Sequence, residues 1–579
     1  MLTYKNKLRA LTSQNKIQFS KYFEYIIDNN EKITKTSILR FALSEWTVRP
    51  SKQKTTYTKM QDTEEKTTLQ PKQLIAFFAM IVGMFMAILD IQIVASSLPV
   101  IAAGLSASND ELSWIQTSYL IAEVIIIPAT GFISRLLSTR ISYFIAALGF
   151  TIMSVMCAFA WNIESMIIFR SLQGFFGGAL IPTAFGAIFI IFPASMRVKV
   201  SMVIGLVVTM APTLGPTIGG YVTEHISWHF MFLMNVIPGI FVCTTVFLYV
   251  DFDKPNPKLL QNFDFVGLFL MILSLGCLQY ILEEGNKKDW LNDTYILLMS
   301  IGVFIGLVCL IIRELTFISP IVDLRAFKNR NFAVGCVYSF ILGNGLYGVV
   351  YILPLFLFTV AGFNSIQIGT TMMITGLFQL CSAPLAAKTV EAGVDKRIVL
   401  AIGFLTFALG CYLNSFLTAE SAYWEFFVPQ MVRGIALMFC FIPINDLALG
   451  TMPKNEVQNA SGLYNLMRNL GGAIGLAVIS SIVNSKSQIF AQSMKESISM
   501  TSPAVLERLE FFKNILYGKV NDPDIAALTL LNNVINQEAF IIAINNVFII
   551  LACMFCLGII MLPFTSGAAV NNNGGSNAH

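Results

Sequence analysis

Apolar residues run along this chain in long blocks separated by short polar segments. Crossing ~30 Å of hydrocarbon takes about 20 helical residues. Blocks of that reach fall at 73–102, 113–133, 141–161, 165–192, 200–222, 230–250, 264–283, 294–312, 332–359, 366–387, 397–417, 424–449, 459–484 and 540–564. The pattern predicts an all-α polytopic membrane protein of fourteen spans. The 55% hydrophobic and 12% charged content excludes the three or four soluble domains that the length alone would allow.

The basic residues set the expected orientation. Fourteen lie in the tail 1–73 and fourteen in the six loops on the same side of the membrane, against seven on the other side. By the positive-inside rule both termini are cytoplasmic. Of 38 basic residues only Arg170, Arg433 and Arg468 remain inside the spans.

A weak internal repeat divides the membrane part. Span 5, SMVIGLVVTMAPTLGPTIGG, lies on span 13, SGLYNLMRNLGGAIGLAVIS, with Ser201 and Gly215 matching Ser461 and Gly475. Spans 4 and 12 share QGFFGGALIP against RGIALMFCFIP, and spans 1 and 9 share Leu98-Pro99 and Leu353-Pro354. Repeated halves of this kind are the sequence signature of many transporters. The division expected is a polar, basic extension (1–72), a six-helix bundle (73–250), two inserted helices with a linker (251–331), a second six-helix bundle (332–564) with an external loop at 485–539, and a tail (565–579).

The candidate chemistry lies in the buried charges. An aspartate in the middle of a membrane helix costs about 3 kcal/mol on insertion scales, yet Asp90 interrupts MFMAILDIQIVASSLP in span 1 and Glu123 interrupts span 2. At 1.5 Å per residue both lie near mid-membrane. A carboxylate withdrawn from water can hold a proton near neutral pH and release it when water or a cation arrives, which suits a proton-coupled step. The alternatives are an Asp90–Arg170 structural ion pair and a protonated Glu123 bonded to a neighbour. Arg170 and Gln173 are one turn apart in span 4 and face the same side. Arg433 and Arg468 read as structural or gating charges, and Asp446 stands within a turn of the end of span 12. Gly215, Pro216, Gly219 and Gly220 in span 5 join a proline kink to small residues that admit a neighbouring helix.

Other chemistry finds no support. The ten cysteines lie in predicted spans, including Cys553 and Cys556, and the three histidines have no zinc or triad spacing. No nucleotide loop or nucleophile elbow occurs. The sequence therefore calls for no cofactor, no metal and no nucleic acid, and for a transporter rather than an enzyme or a membrane sensor.

In order, LDIQIVASSLP, WIQTSYL, FRSLQGFFGGALIP, APTLGPTIGGYV and WHFMFLMNVIPG resemble the fourteen-spanner drug:proton antiporters of the major facilitator superfamily, EmrB/QacA type. LQYILEEGNKKDW (278–290), PIVDLRAFKNRNF (320–332), SGLYNLMRNLGGAIG (461–475) and NQEAFIIAINNVF (536–548) resemble its EmrB side. The resemblance spans about residues 72–564. It implies a monomeric inner-membrane exporter of amphipathic small molecules, driven by protons through alternating access. It also implies a periplasmic adaptor (EmrA-like) that passes cargo to an outer-membrane channel. Arg170 takes the place of a proton-relay arginine, and Gly215-Pro216 with Gly219-Gly220 that of the antiporter motif. A metabolite, peptide or siderophore could be the cargo on the same scaffold. Four positions depart from the family. Ser138 replaces a glycine in the loop GFISRLLSTR, whose Arg135 and Arg140 are gating candidates, His229 follows Trp228 where arginine is usual, Asn546 replaces an acid, and Glu123 is an added charge.

Two further expectations concern polar segments. In the external loop, Ser502-Pro503 opens a helix with Val505, Leu509, Phe512 and Leu516 on one face, placed either to meet an adaptor or to fold over the transporter's own mouth. The tail through residue 73 carries net +7. It is a solvated segment, a surface-bound helix with Ile17, Phe19, Phe23, Ile26 and Ile27 on one face, or a region upstream of a start at Met60.

Overall fold

The computed structural model of the protein describes residues 71–565, except 252, 318, 454–455 and 499–501. The expectations for the tail, including the start at Met60, lie outside the described residues.

Among the described residues, fourteen helices are long and apolar enough to span a membrane. They are α1 (Pro71–Gly104), α2 (Trp114–Leu137), α3 (Thr139–Ala158), α4 (Ile163–Ile191), α5 (Ala194–His225), α6 (Val236–Tyr249, which completes its span with the short helix His229–Leu233 before it), α7 (Phe265–Glu284), α8 (Thr294–Thr316), α9 (Arg330–Thr359), α10 (Ser365–Glu391), α11 (Lys396–Asn414), α12 (Tyr423–Leu449), α13 (Val457–Ser497) and α14 (Pro523–Ile559). Several begin at an Asn or Asp placed just before the apolar run, whose side chain accepts from the otherwise unpaired first-turn N–H groups. Asn162 accepts from Ser165 at 2.9 Å, Asn364 from Gln367 at 2.9 Å and Asp293 from Tyr295 at 2.8 Å.

The expected external loop is largely helix. α13 runs 41 residues and α14 runs 37, each well beyond the ~20 needed to span, and between them stands the helix Pro503–Leu516, packed on α14. Hydropathy marks where a chain leaves the membrane. It does not mark where its backbone ladder ends, and KSQIFAQSMKES is polar yet free of glycine and proline. Phe512 is buried and Val505, Leu509 and Leu516 are half-buried, so the predicted apolar face points inward. Ser502 occupies the N-cap position, but its hydroxyl makes no capping bond.

The packing repeats. In the first half α1 packs on α4, α5 and α6, α2 on α4, and α3 on α4 and α6; each pair recurs eight helices later, from α9·α12 to α11·α14. The contacts between halves obey the same exchange, α2·α13 with α10·α5 and α4·α13 with α12·α5. Two six-helix bundles thus share one packing pattern and meet through equivalent helices. Of the inserted pair, α7 packs on α8, α2 and α13.

Hydrogen bonds tie the halves at the end where α3, α5 and α13 begin. Gln458 donates to Thr139 at 2.8 Å, Asn445 to Ser201 at 2.8 Å and Ser461 to the Pro182 carbonyl at 2.7 Å. Ser138, between α2 and α3, stands at φ 79° and ψ 154°, a region that is essentially glycine's and costs other residues about 1–3 kcal/mol. The missing glycine therefore leaves strain rather than a changed path. Ser138→Gly is expected to raise the thermal midpoint of the purified protein by a few degrees; an unchanged or lowered midpoint would show that the hydroxyl, which accepts from Ile141 at 3.5 Å, compensates.

Candidate functional site

The site begins with a close approach. A Cβ on Gly174 would overlap the Tyr119 carbonyl oxygen, and one on Gly178 would lie 3.0 Å from the Glu123 Cα. These glycines bring α4 against the backbone of α2, so Arg170 Nε reaches the Ile115 carbonyl at 3.2 Å and its guanidinium lies 4.2 Å from the Tyr119 ring centre. From there Arg170 Nη1 meets Asp90 Oδ2 of α1 at 2.6 Å.

Gln173 completes the bridge. Its Oε1 accepts from Arg170 Nη1 at 2.7 Å, and its Nε2 donates to Asp90 Oδ1 at 3.1 Å and to Ser154 Oγ at 2.8 Å. Asn235, entering α6, donates to Asp90 Oδ1 at 2.8 Å. Asp90, 2% exposed, is thus surrounded by donors from α4 and the α6 entrance, with Ser154 of α3 bridging them. Among the described residues, Arg170 Nη2 has no partner. Arg170, Gln173 and Asn235 each reach Asp90 with a donor, so both of its oxygens act as acceptors.

The structure thus brings Asp90 together with Arg170 and Gln173, of which only the last two are neighbours by spacing. Glu123 does not join them. Its Oε1 accepts from Asn469 Nδ2 of α13 at 3.3 Å, across the two halves. Arg468 donates to Asn465 at 2.5 Å and lies 5.1 Å from the Phe185 ring centre, and among the described residues its Nε and Nη1 have no partner. Arg433 donates from Nη2 to Thr375 Oγ1 at 2.9 Å. Asp446 pairs with Lys396 at 2.6 Å near the helix ends.

In α5, Gly215 admits α1, since a Cβ there would overlap Gln92. The helix continues through Pro216 to Gly219 and Gly220, whose carbonyls accept from Thr223 at 2.7 and 3.1 Å. Arg135 donates to the Gly131 carbonyl at 3.1 Å, and Arg140 lies 4.8 Å from the Phe247 ring centre.

Three residues escaped sequence reasoning. Asn235 and Ser154 are neutral polar residues in apolar spans; only the carboxamide of NVIPG gave a signal. Asp253, from the segment after α6, accepts from Thr139 N at 2.8 Å and from its hydroxyl at 2.9 Å. An acid distant in sequence thus caps the first turn of α3. No group of three or more His, Cys, Asp or Glu that could hold a metal occurs among the described residues.

The profile of the Major Facilitator Superfamily matches residues 80–476. The chain is 41% identical over 434 residues to the colistin resistance protein EmrB of Acinetobacter baumannii, covering 75% of this chain and 85% of that one. It is 29% identical to the fatty acid resistance protein FarB of Neisseria gonorrhoeae, over 86% of this chain and 96% of that one. Identity to the multidrug export protein EmrB of Escherichia coli K12 is 26%, over 89% and 100%. Among solved structures, the proton:xylose symporter XylE matches with TM-score 0.54 and 17% identity, over 86% and 96% of the two chains. The human organic anion transporter MFSD10 matches with TM-score 0.53 and 14% identity, over 85% and 100%. Both share the fold.

Proposed function

Because the chain belongs to the major facilitator superfamily of transporters, on its EmrB-type branch, we propose that it is a multidrug efflux transporter that moves amphipathic organic compounds out of the cell as protons enter. The observation that carries the proton-coupled part is Asp90, a buried carboxylate held by Arg170, Gln173 and Asn235 in one half of a two-half bundle. Proton arrival at Asp90 would loosen its hold on α4 and α6, and their shift would be felt where α4 meets α13. Access from the cytoplasm would need the bonds Gln458–Thr139, Asn445–Ser201 and Ser461–Pro182 to break, with 73–250 and 332–564 rocking as bodies. Glu123 bonds to Asn469 across the same interface, which suits a second acid that senses the opening.

The same reading places the protein in the inner membrane with both termini cytoplasmic, in agreement with the basic-residue bias. The ends of α13 and α14 and the helix Pro503–Leu516 then project on the periplasmic side. This helix leaves Leu506, Phe511 and Ile515 exposed, as is Tyr517 just after it, which suits docking of an adaptor protein that leads to an outer-membrane channel. Deleting 500–517 is expected to abolish adaptor cross-linking and to lower export in cells; intact cross-linking would reject the docking role.

Export itself is tested with purified protein in liposomes or inverted vesicles. Imposing a proton gradient is expected to drive uphill accumulation of cationic and neutral dyes, and collapsing the gradient to stop it. Accumulation indifferent to the gradient would overturn proton coupling.

A further inference from the structure

The two inserted helices touch both halves, but by different kinds of contact. Against α2 the contacts are apolar or aromatic. Gly276 of α7 faces Ile125 and Ile121, whose methyl groups would stand 3.4 and 3.7 Å from a Cβ there. Trp114, which opens α2, lies 5.5 Å from Tyr280 of α7 between ring centres, and Phe132 lies 5.5 Å from Phe263, which precedes α7. Among the described residues, no hydrogen bond or ion pair joins 264–328 to the first half.

Against the second half the contacts are hydrogen bonds, at both ends of the pair. Just beyond α7, Asn286 donates to Ser480 of α13 at 2.8 Å and Trp290 Nε1 to Ser481 at 3.1 Å. At the opposite end the linker after α8 is bound to α13 twice: Asp323 N donates to Asn459 Oδ1 and Asn459 Nδ2 to the Asp323 carbonyl, each at 3.0 Å. That linker is tied to α8 in turn, since Glu314 accepts from Val322 N at 3.2 Å, and α8 to α7, since Arg313 pairs with Asp264 at 3.0 Å. The covalent tie to the first half is the segment ahead of α7. Its Asn256 N bonds the Arg135 and Leu136 carbonyls at 3.2 and 3.1 Å, and from there to Phe263 the chain is a short, mostly exposed 3₁₀ turn that can lengthen.

In hydrocarbon an apolar helix contact exchanges for lipid at little cost, whereas a broken interhelical hydrogen bond finds no water to replace it. Packed helices slide over their apolar faces. We infer that α7 and α8 form a strap fastened to the second half, which travels with that half and slides over α2 when the two halves rock. The strap thereby keeps the seam between α2 and α13 covered from lipid, and Asn286, Trp290 and Asn459 are the positioning residues that hold it there. This rests on the rocking of two halves in the export reading and gives the inserted pair its part in that motion.

The test measures three distances by pulsed electron spin resonance on the full chain in nanodiscs, at neutral and acidic pH, with and without an exported dye. Spin labels on genetically encoded keto residues leave the ten cysteines in place. The labels replace Phe159 in the first half, Leu291 between α7 and α8, and Trp424 in the second half, all exposed at the end opposite the start of α13. The 291–424 distance is expected to hold within about 2 Å while the 159–424 distance changes between conditions, and the 159–291 distance should follow that change. Asn286→Ala with Trp290→Phe should broaden the 291–424 distribution and leave that of 159–424 as it was. A 291–424 distance that changes while 159–291 holds would fasten the pair to the first half and overturn the inference. So would an insert that moves against both halves, or a 291–424 distribution as narrow in the double variant as in the wild type. A fixed 159–424 distance beside gradient-driven export would remove the rocking of the halves and the strap with it. Distances that behave as expected in a protein that exports no compound would reject export and leave the strap.

Discussion

Asp90→Asn is expected to abolish gradient-driven export, by roughly a hundredfold or more, while the protein still inserts and exchanges cargo downhill. The geometry explains why these outcomes separate. An asparagine can turn its carbonyl to Arg170 Nη1, the 2.6 Å partner of Asp90 Oδ2, and so keep α1 and α4 together. Its amide then faces the Gln173 and Asn235 donors that met Oδ1, and Asn235 can flip to accept. What the amide cannot do is carry a proton in one half of the cycle and lose it in the other. Breaking a buried ion pair costs about 3–5 kcal/mol when nothing replaces it, so the variant should melt below the wild type yet stay monodisperse. Arg170→Lys, which keeps the charge but loses the fork that holds Asp90, Gln173 and Ile115 together, should retain more export than Arg170→Ala. Counterflow and gradient-driven uptake measured side by side in proteoliposomes decide between roles. Normal uphill export by Asp90→Asn would return Asp90 to a structural ion pair, and loss of counterflow along with uphill transport would show that the pair holds the fold rather than the coupling.

The sequence made some of this legible because the membrane is a severe solvent. Hydrocarbon thickness sets the length of every span, and the cost of charge inside it singles out Asp90, Glu123 and the three arginines against an apolar background. One-turn spacing then joins Arg170 to Gln173, and both reach Asp90. Asn235 and Ser154 were not singled out, because charge inside a span was the criterion and both are neutral. Glu123 was visible as a charge, but its partner Asn469 lies 346 residues away, and nothing local to either residue announces the pair. The extensions of α13 and α14 were missed because hydropathy reports the solvent around a helix and the backbone ladder ignores it.

The whole arrangement at Asp90 depends on a contact with no chemistry of its own. Gly174→Leu is expected to abolish both export and stable folding, because the first side-chain carbon already overlaps the Tyr119 carbonyl of α2. The obstacle is helix backbone, which cannot rotate aside as a side chain can, so relief must come from parting α4 and α2. Overpacking in a closely packed interior costs about 1–3 kcal/mol or more, and here the parting also withdraws the Ile115 carbonyl and the Tyr119 ring from Arg170. Gly174→Ala should show the same defect in milder form. Gly302 on α8 is the control: none of the described residues lies within 4 Å of its missing Cβ, so Gly302→Leu should shift stability by no more than about 0.5 kcal/mol and leave export intact. Yield and thermal midpoint by fluorescence-detected size exclusion, with dye export in the same cells, separate the two glycines. Wild-type stability and export in Gly174→Leu would mean that α2 and α4 do not meet as closely as the site requires, and the position of Arg170 would lose its structural cause.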